Sequence, residues 1–172
     1  NGKYIAPQAL ETKLVIDRYI DQIAIIADQR KFVSALIVPV YGFVKDYAKE
    51  KGIEYKDMAE LLEHPKITAL FRARIDTLQQ QFAHYEQVKR FTLLPEPFSM
   101  ERGELTNTLK LKRSVVAENY KELIEKMQAT KVTPKWLECN SENITAKVVA
   151  IPEKSDIDYE FEEQLIVELY SK

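Results

Sequence analysis

Gln22-Ile23-Ala24-Ile25-Ile26-Ala27 and Phe32-Val33-Ser34-Ala35-Leu36-Ile37-Val38-Pro39-Val40 are two nearly continuous apolar runs, rich in β-branched residues. Runs without polar alternation are what strands buried on both faces look like. The four-residue link Asp28-Gln29-Arg30-Lys31 is of hairpin length. Working outward, Pro7 suits a first helical turn, and Leu10, Leu14 and Ile16 form one face of a short helix. Tyr41 to Lys51 and Lys56 to Glu63 read as two short helices separated by Gly52. After His64-Pro65, Ile67, Phe71, Ile75, Leu78, Phe82 and Tyr85 recur at three- and four-residue steps, the strongest helical stripe in the chain. Phe91 to Leu94 reads as a third strand, ended by Pro95 and Pro97. A last helical run, Leu111 to Met127, puts Val115, Val116, Tyr120, Leu123, Ile124 and Met127 on one face. This order of elements predicts an α+β fold: a small mixed or antiparallel sheet covered by helices.

The 172 residues suggest one domain with an appendage. The net charge of −2 gives no global basic field, so no DNA partner is expected. The single cysteine, Cys139, fits a reducing compartment. No apolar run approaches the roughly 20 residues needed to span a bilayer. No secretory leader is visible at the start, so a cytoplasmic location is expected. Asn1-Gly2-Lys3 reads as the interior of a longer chain, because no methionine opens it. The four glycines form no phosphate-cradling loop, so nucleotide chemistry would need a cradle from elsewhere. His64 and His84 lack a cluster of ligand-spaced partners, and no metal site is expected.

Between the third strand and the last helix lies Glu104-Leu105-Thr106-Asn107-Thr108-Leu109-Lys110-Leu111-Lys112-Arg113. Three cations fall in four positions after a run of small hydroxyls. A lysine here is a compact charge on a flexible stem, able to neutralise a phosphate and a carboxylate together. A solvated basic helix start is the plainer alternative.

Texture changes near Ala129. Residues 1–130 carry 20 basic and 18 acidic side chains, and residues 131–172 carry 5 and 9. Residues 130–134 read as a linker. Ala146 to Ile151 and Gln164 to Tyr170 read as strands of a β-rich extension, joined by acidic Asp156 to Glu163.

Three segments in order, Asn1-Gly2-Lys3-Tyr4-Ile5-Ala6-Pro7 with Glu11, Arg30 to Pro39, and Leu105 to Arg113, resemble long-chain acyl-CoA synthetases of the AMP-forming adenylating superfamily. The resemblance covers about residues 1–129 and corresponds to the mobile C-terminal lid domain. It implies a two-step reaction, in which ATP and a fatty acid give acyl-adenylate and pyrophosphate, and coenzyme A then displaces AMP. It implies ATP, Mg2+ and coenzyme A as cofactors of the full-length enzyme, and none bound by this chain alone. It implies an N-terminal adenylation domain as partner, with peripheral membrane association of the whole enzyme as a further expectation.

Placing the family motif on this sequence makes Lys110 the adenylation lysine, with Lys112 as rival. Lys112 and Arg113 are candidate phosphate contacts. Gly2 matches a glycine beside the coenzyme A access path, or is a simple turn glycine. Glu11 reads as a structural first-turn acid. The wider superfamily has Ser-Gly where Thr108-Leu109 stand, and the long-chain variant often has proline where Asn107 stands. The chain alone is expected to catalyse nothing.

Pro134-Lys135-Trp136-Leu137, Ala146 to Pro152 and Glu163 to Lys172 resemble the end of ribosomal small-subunit protein four. A fusion or an unrelated two-strand extension both fit. An RNA-associated module is therefore an alternative function, although the acidic tail argues against phosphate binding. A non-catalytic acyl-CoA-binding regulatory domain is a third.

Overall fold

A computed structural model describes residues 6–28, 30, 32–129, 137–140 and 145–151. Gly2, Trp136 and the expected strand at 164–170 lie outside these residues. The chain separates into two compact units, Asn1–Lys131 and Val132–Lys172.

The larger unit is α+β. β1 (Ile20–Ile26) and β2 (Ser34–Pro39) pair antiparallel, with Ile26 opposite Ser34. β3 (Arg90–Leu93) adds to β2 in parallel, giving a mixed sheet in the order β1-β2-β3. β2 is buried along its whole length, which explains its unbroken apolar sequence. Side chains alternate across the sheet. Ile23, Ile25, Ala35 and Ile37 face one core, shared with α1 (Pro7–Leu14), α2 (Tyr41–Glu50), α3 (Met58–Glu63) and α4 (Pro65–Leu78). Ala24, Ile26, Leu36 and Val38 face a second core, shared with α5 (Arg113–Asn119) and α6 (Lys121–Ala129). Leu94, Phe98 and Leu105, on the chain between β3 and α5, belong to this second core.

Local chemistry sets the helix ends. Gly52 takes φ +60° just past α2, and the N–H of Ile53 reaches back to Ala48 O at 2.9 Å. This is a left-handed helix stop, and Ile53 is buried beside it. His64 caps α4 by accepting from Lys66 N through Nδ1 at 3.2 Å, and Pro65 takes the first helical position.

Four expectations are corrected. The stripe that began at Ile67 leaves the helix after Leu78. The Gln79 side chain accepts from Val88 N at 2.8 Å and turns the chain toward β3, so Tyr85 falls in a single 3₁₀ turn, 84–86, and is exposed. Ile16 lies beyond α1 and is 69% exposed. Glu11 sits in the second turn of α1, so the helix dipole is not what holds it. The run from Leu111 to Met127 is two helices broken at Tyr120, and Leu111 precedes both as a bridge partner of Leu105.

The smaller unit, as far as it is described, is an antiparallel pair of β4 (Leu137–Asn140) and β5 (Thr145–Val148). Among the described residues no helix is long and apolar enough to cross a membrane.

Candidate functional site

The basic stretch is a small hairpin that hangs from the second core. Leu105 and Leu111 form an antiparallel bridge, and the N–H of Lys112 donates to Glu104 O at 2.8 Å. Thr106 winds the tip. Its N–H donates to Lys110 O at 2.8 Å, and its O accepts from Leu109 N at 2.8 Å. Its Oγ1 accepts from Lys110 N at 3.0 Å and lies 3.0 Å from Thr108 Oγ1. Buried Leu105 and half-buried Leu111 pack on the second core. The two-residue period of an extended strand then places Lys110 and Lys112 together on the opposite, exposed side. That is why lysine, leucine and lysine alternate here.

One backbone angle stands out. Leu109 has φ +58°, the left-handed region, immediately before Lys110. A leucine there costs about 1–2 kcal/mol relative to the right-handed form, whereas glycine is nearly free of the penalty. The side chain recovers little of that cost within this unit, because it is 67% exposed and belongs to neither core. The hairpin closure by Thr106 is what holds the angle in place.

Two arginines fix the ends of the hairpin. Glu104 is fully buried. It accepts from Arg102 Nε at 3.1 Å to both carboxylate oxygens, from Ser99 N at 3.0 Å and from Asn119 Nδ2 at 3.2 Å. Burial alone would push its pKa up. The hydrogen bonds from Arg102, Ser99 and Asn119 outweigh that and hold the carboxyl below its ordinary value. The same contact raises Arg102. Tyr120 is raised by burial first and by Glu104 second. Arg102 also donates to Pro97 O and pairs with Glu96 at 3.1 Å. Glu96, Arg102, Glu104, Asn119 and Tyr120 line an open depression of about 490 Å³, whose charged groups already satisfy one another. At the other end, Arg113 forms an ion pair with Glu11 of α1, and Glu11 also accepts from Ile25 N on the edge of β1 at 3.0 Å.

The sequence-predicted site residues therefore separate. Lys110 and Lys112 share an exposed face, and among the described residues no ion pair involves either. Arg113 is committed to Glu11, so a phosphate contact by Arg113 requires that pair to open. Periodicity and spacing do not reveal the Arg102–Glu104–Asn119 clamp. Its only local hint was Gly103, which takes φ +71° in the turn that brings Arg102 back onto Glu104. Among the described residues no group of His, Cys, Asp and Glu could hold a metal ion.

No family model matches the chain. Long chain acyl-CoA synthetase 7 of Arabidopsis thaliana, a peroxisomal protein, is 36% identical over 131 residues, which cover 74% of this chain and 19% of that protein. Over about three quarters of the chain its homologues are long-chain acyl-CoA synthetases. The chain spans about a fifth of the length of that synthetase relative. The adenylation domain of a carboxylate reductase from Mycobacterium chelonae shares the fold. It superposes with a TM-score of 0.60 at 23% identity, over 75% of this chain and 18% of that one.

A second family is present in the same chain. Small ribosomal subunit protein uS4 of Clostridioides difficile is 53% identical over 53 residues, 31% of this chain and 25% of that protein. The uS4 of Ruminiclostridium cellulolyticum is 31% identical over 153 residues, 85% of this chain and 71% of that protein. The likeness to uS4 is thus strongest over a short stretch.

Proposed function

We propose that the larger unit is the C-terminal lid of a long-chain fatty acid–CoA ligase, with Lys110 as its adenylation lysine. In the first step a fatty acid carboxylate oxygen attacks the α-phosphorus of ATP and pyrophosphate leaves. In the second the coenzyme A thiol attacks the acyl carbon, gives up its proton, and AMP leaves. The carboxylate and the triphosphate repel each other, and negative charge builds on the phosphoryl oxygens during transfer. An ammonium placed between them offsets both effects and holds the reactants in line. The remaining machinery, including the ATP and Mg2+ sites and the fatty acid pocket, belongs to an N-terminal adenylation domain. This chain alone is inactive. Gly2 borders the coenzyme A path in the second step, and Lys112 is a supporting phosphate contact.

The observation that carries the proposal is the setting of Lys110. It stands at the tip of a closed hairpin, exposed and without an ion-pair partner among the described residues, while neighbouring arginines are paired. The test is Lys110→Ala in the full-length ligase, with the half-reactions measured separately. Pyrophosphate release should collapse while thioester formation from supplied acyl-adenylate persists. Survival of both refutes the assignment, and collapse with Lys112→Ala instead moves it two residues on.

The uS4 likeness favours a second reading, in which the chain docks on RNA through its end and the basic hairpin. It predicts RNA affinity that weakens steeply with salt. No binding at low salt removes it.

A further inference from the structure

We propose that Leu109 is a positioning residue: an apolar anchor that seats the hairpin tip against the adenylation domain and so fixes Lys110 in the first half-reaction. The inference rests on the lid function above and deepens it. Two observations carry it. Leu109 holds φ +58°, where a glycine would be unstrained, and its side chain is 67% exposed and outside both cores. Within this unit leucine is therefore the poorer residue on both counts. A surface that covers it would supply the return for keeping it, and an aliphatic side chain is rewarded only by an apolar one.

Thr106 ties the tip so closely that Leu109 and Lys110 move as one piece. The N–H of Leu109 and the N–H and O of Lys110 all bond to Thr106. Seating Leu109 thus sets where the Lys110 stem begins. The anchor calls for an apolar surface on the adenylation domain that meets the hairpin tip when the lid presents it.

The test uses the full-length ligase with Leu109→Gly, Leu109→Ala and Leu109→Met, each measured for melting temperature and for both half-reactions. A purely structural role and an anchoring role predict opposite pairings. If Leu109 only tolerates the turn, Leu109→Gly raises the melting temperature and leaves pyrophosphate release unchanged or faster. If it anchors, Leu109→Gly still raises the melting temperature, yet pyrophosphate release falls about tenfold in kcat, the size expected from losing one apolar contact in the transition state. Leu109→Ala should then fall similarly, and Leu109→Met should restore most of the rate. Thioester formation from supplied acyl-adenylate should not change. Unchanged adenylation in Leu109→Gly, or an equal loss in both half-reactions, overturns the proposal. Lys110→Ala run alongside separates the two levels. If it leaves adenylation intact, the lid assignment has failed, and if it abolishes adenylation while Leu109→Gly does not, only the anchor has failed.

Discussion

The arginines and the lysines of this hairpin are used in opposite ways. Arg102 lies against a fully buried carboxylate, and Arg113 is paired with Glu11. Lys110 and Lys112, between them in sequence, face water. The difference follows from side-chain chemistry. A guanidinium offers a rigid fork of donors that matches a carboxylate, so it serves to hold. An ammonium on a four-carbon stem is mobile and heavily hydrated, so it serves to reach. A row of positive charges is therefore two fasteners enclosing two free arms, and counting charges cannot separate them.

Three substitutions and one titration would break or sharpen that contrast. The largest effect is expected from Lys110→Ala in the full-length ligase, where adenylation should fall by about a hundredfold or more, the scale of removing one electrostatic contact to a developing charge. Melting temperature should stay near the parent value, since an exposed lysine without an ion pair stabilises little. Next is Arg102→Ala, which leaves Glu104 buried and short of its main partner. A loss of about 2 kcal/mol in urea unfolding is expected, less than for a fully buried pair because Arg102 itself is partly open to water. A neutral result would mean that Ser99 and Asn119 suffice to hold the carboxylate.

The titration is the third probe. Because the fold lowers the pKa of Glu104, its contribution to stability is complete above the unfolded-state value near 4.3. It fades as pH falls through the lower folded value. The difference in urea midpoint between the parent and Glu104→Gln should accordingly be largest near pH 7 and shrink below about pH 4. A difference that does not vary with pH would show that Glu104 is not held ionised. The smallest effect is expected from Arg113→Ala, about 1 kcal/mol or less in stability, since this pair is partly exposed. If adenylation falls much further than stability, the Glu11 tie also orients the hairpin.

Much of the scaffold was legible in the sequence. The runs at 22–27 and 32–40 gave two buried strands because nothing polar interrupts them, and the three-to-four spacing of Ile67, Phe71 and Ile75 gave the main helix. Three of the features that periodicity missed share one cause. Gln79 ends α4 by bonding to Val88, Glu11 is held by Ile25 and Arg113, and Glu104 is held by Arg102, Ser99 and Asn119. Each is a polar side chain whose partner is fixed by the fold rather than by periodicity. Apart from the resemblance, which singled out Lys110, the site was readable only as a cluster of cations. Which of them are tied down depends on carboxylates up to 102 residues away in sequence.

The parallel pairing of β2 with β3 has a consequence for assembly order. The β1–β2 hairpin closes over a few residues and can form early, but β3 cannot dock until a loop of about fifty residues, containing α2 to α4, has been closed. The lysine-bearing tip follows β3 in the chain, so it gains its support only after that closure. A mutation that slows docking of β3 would then delay ordering of the tip while leaving most helical signal intact, separating recovery of helix content from protection of the tip amides in a refolding experiment.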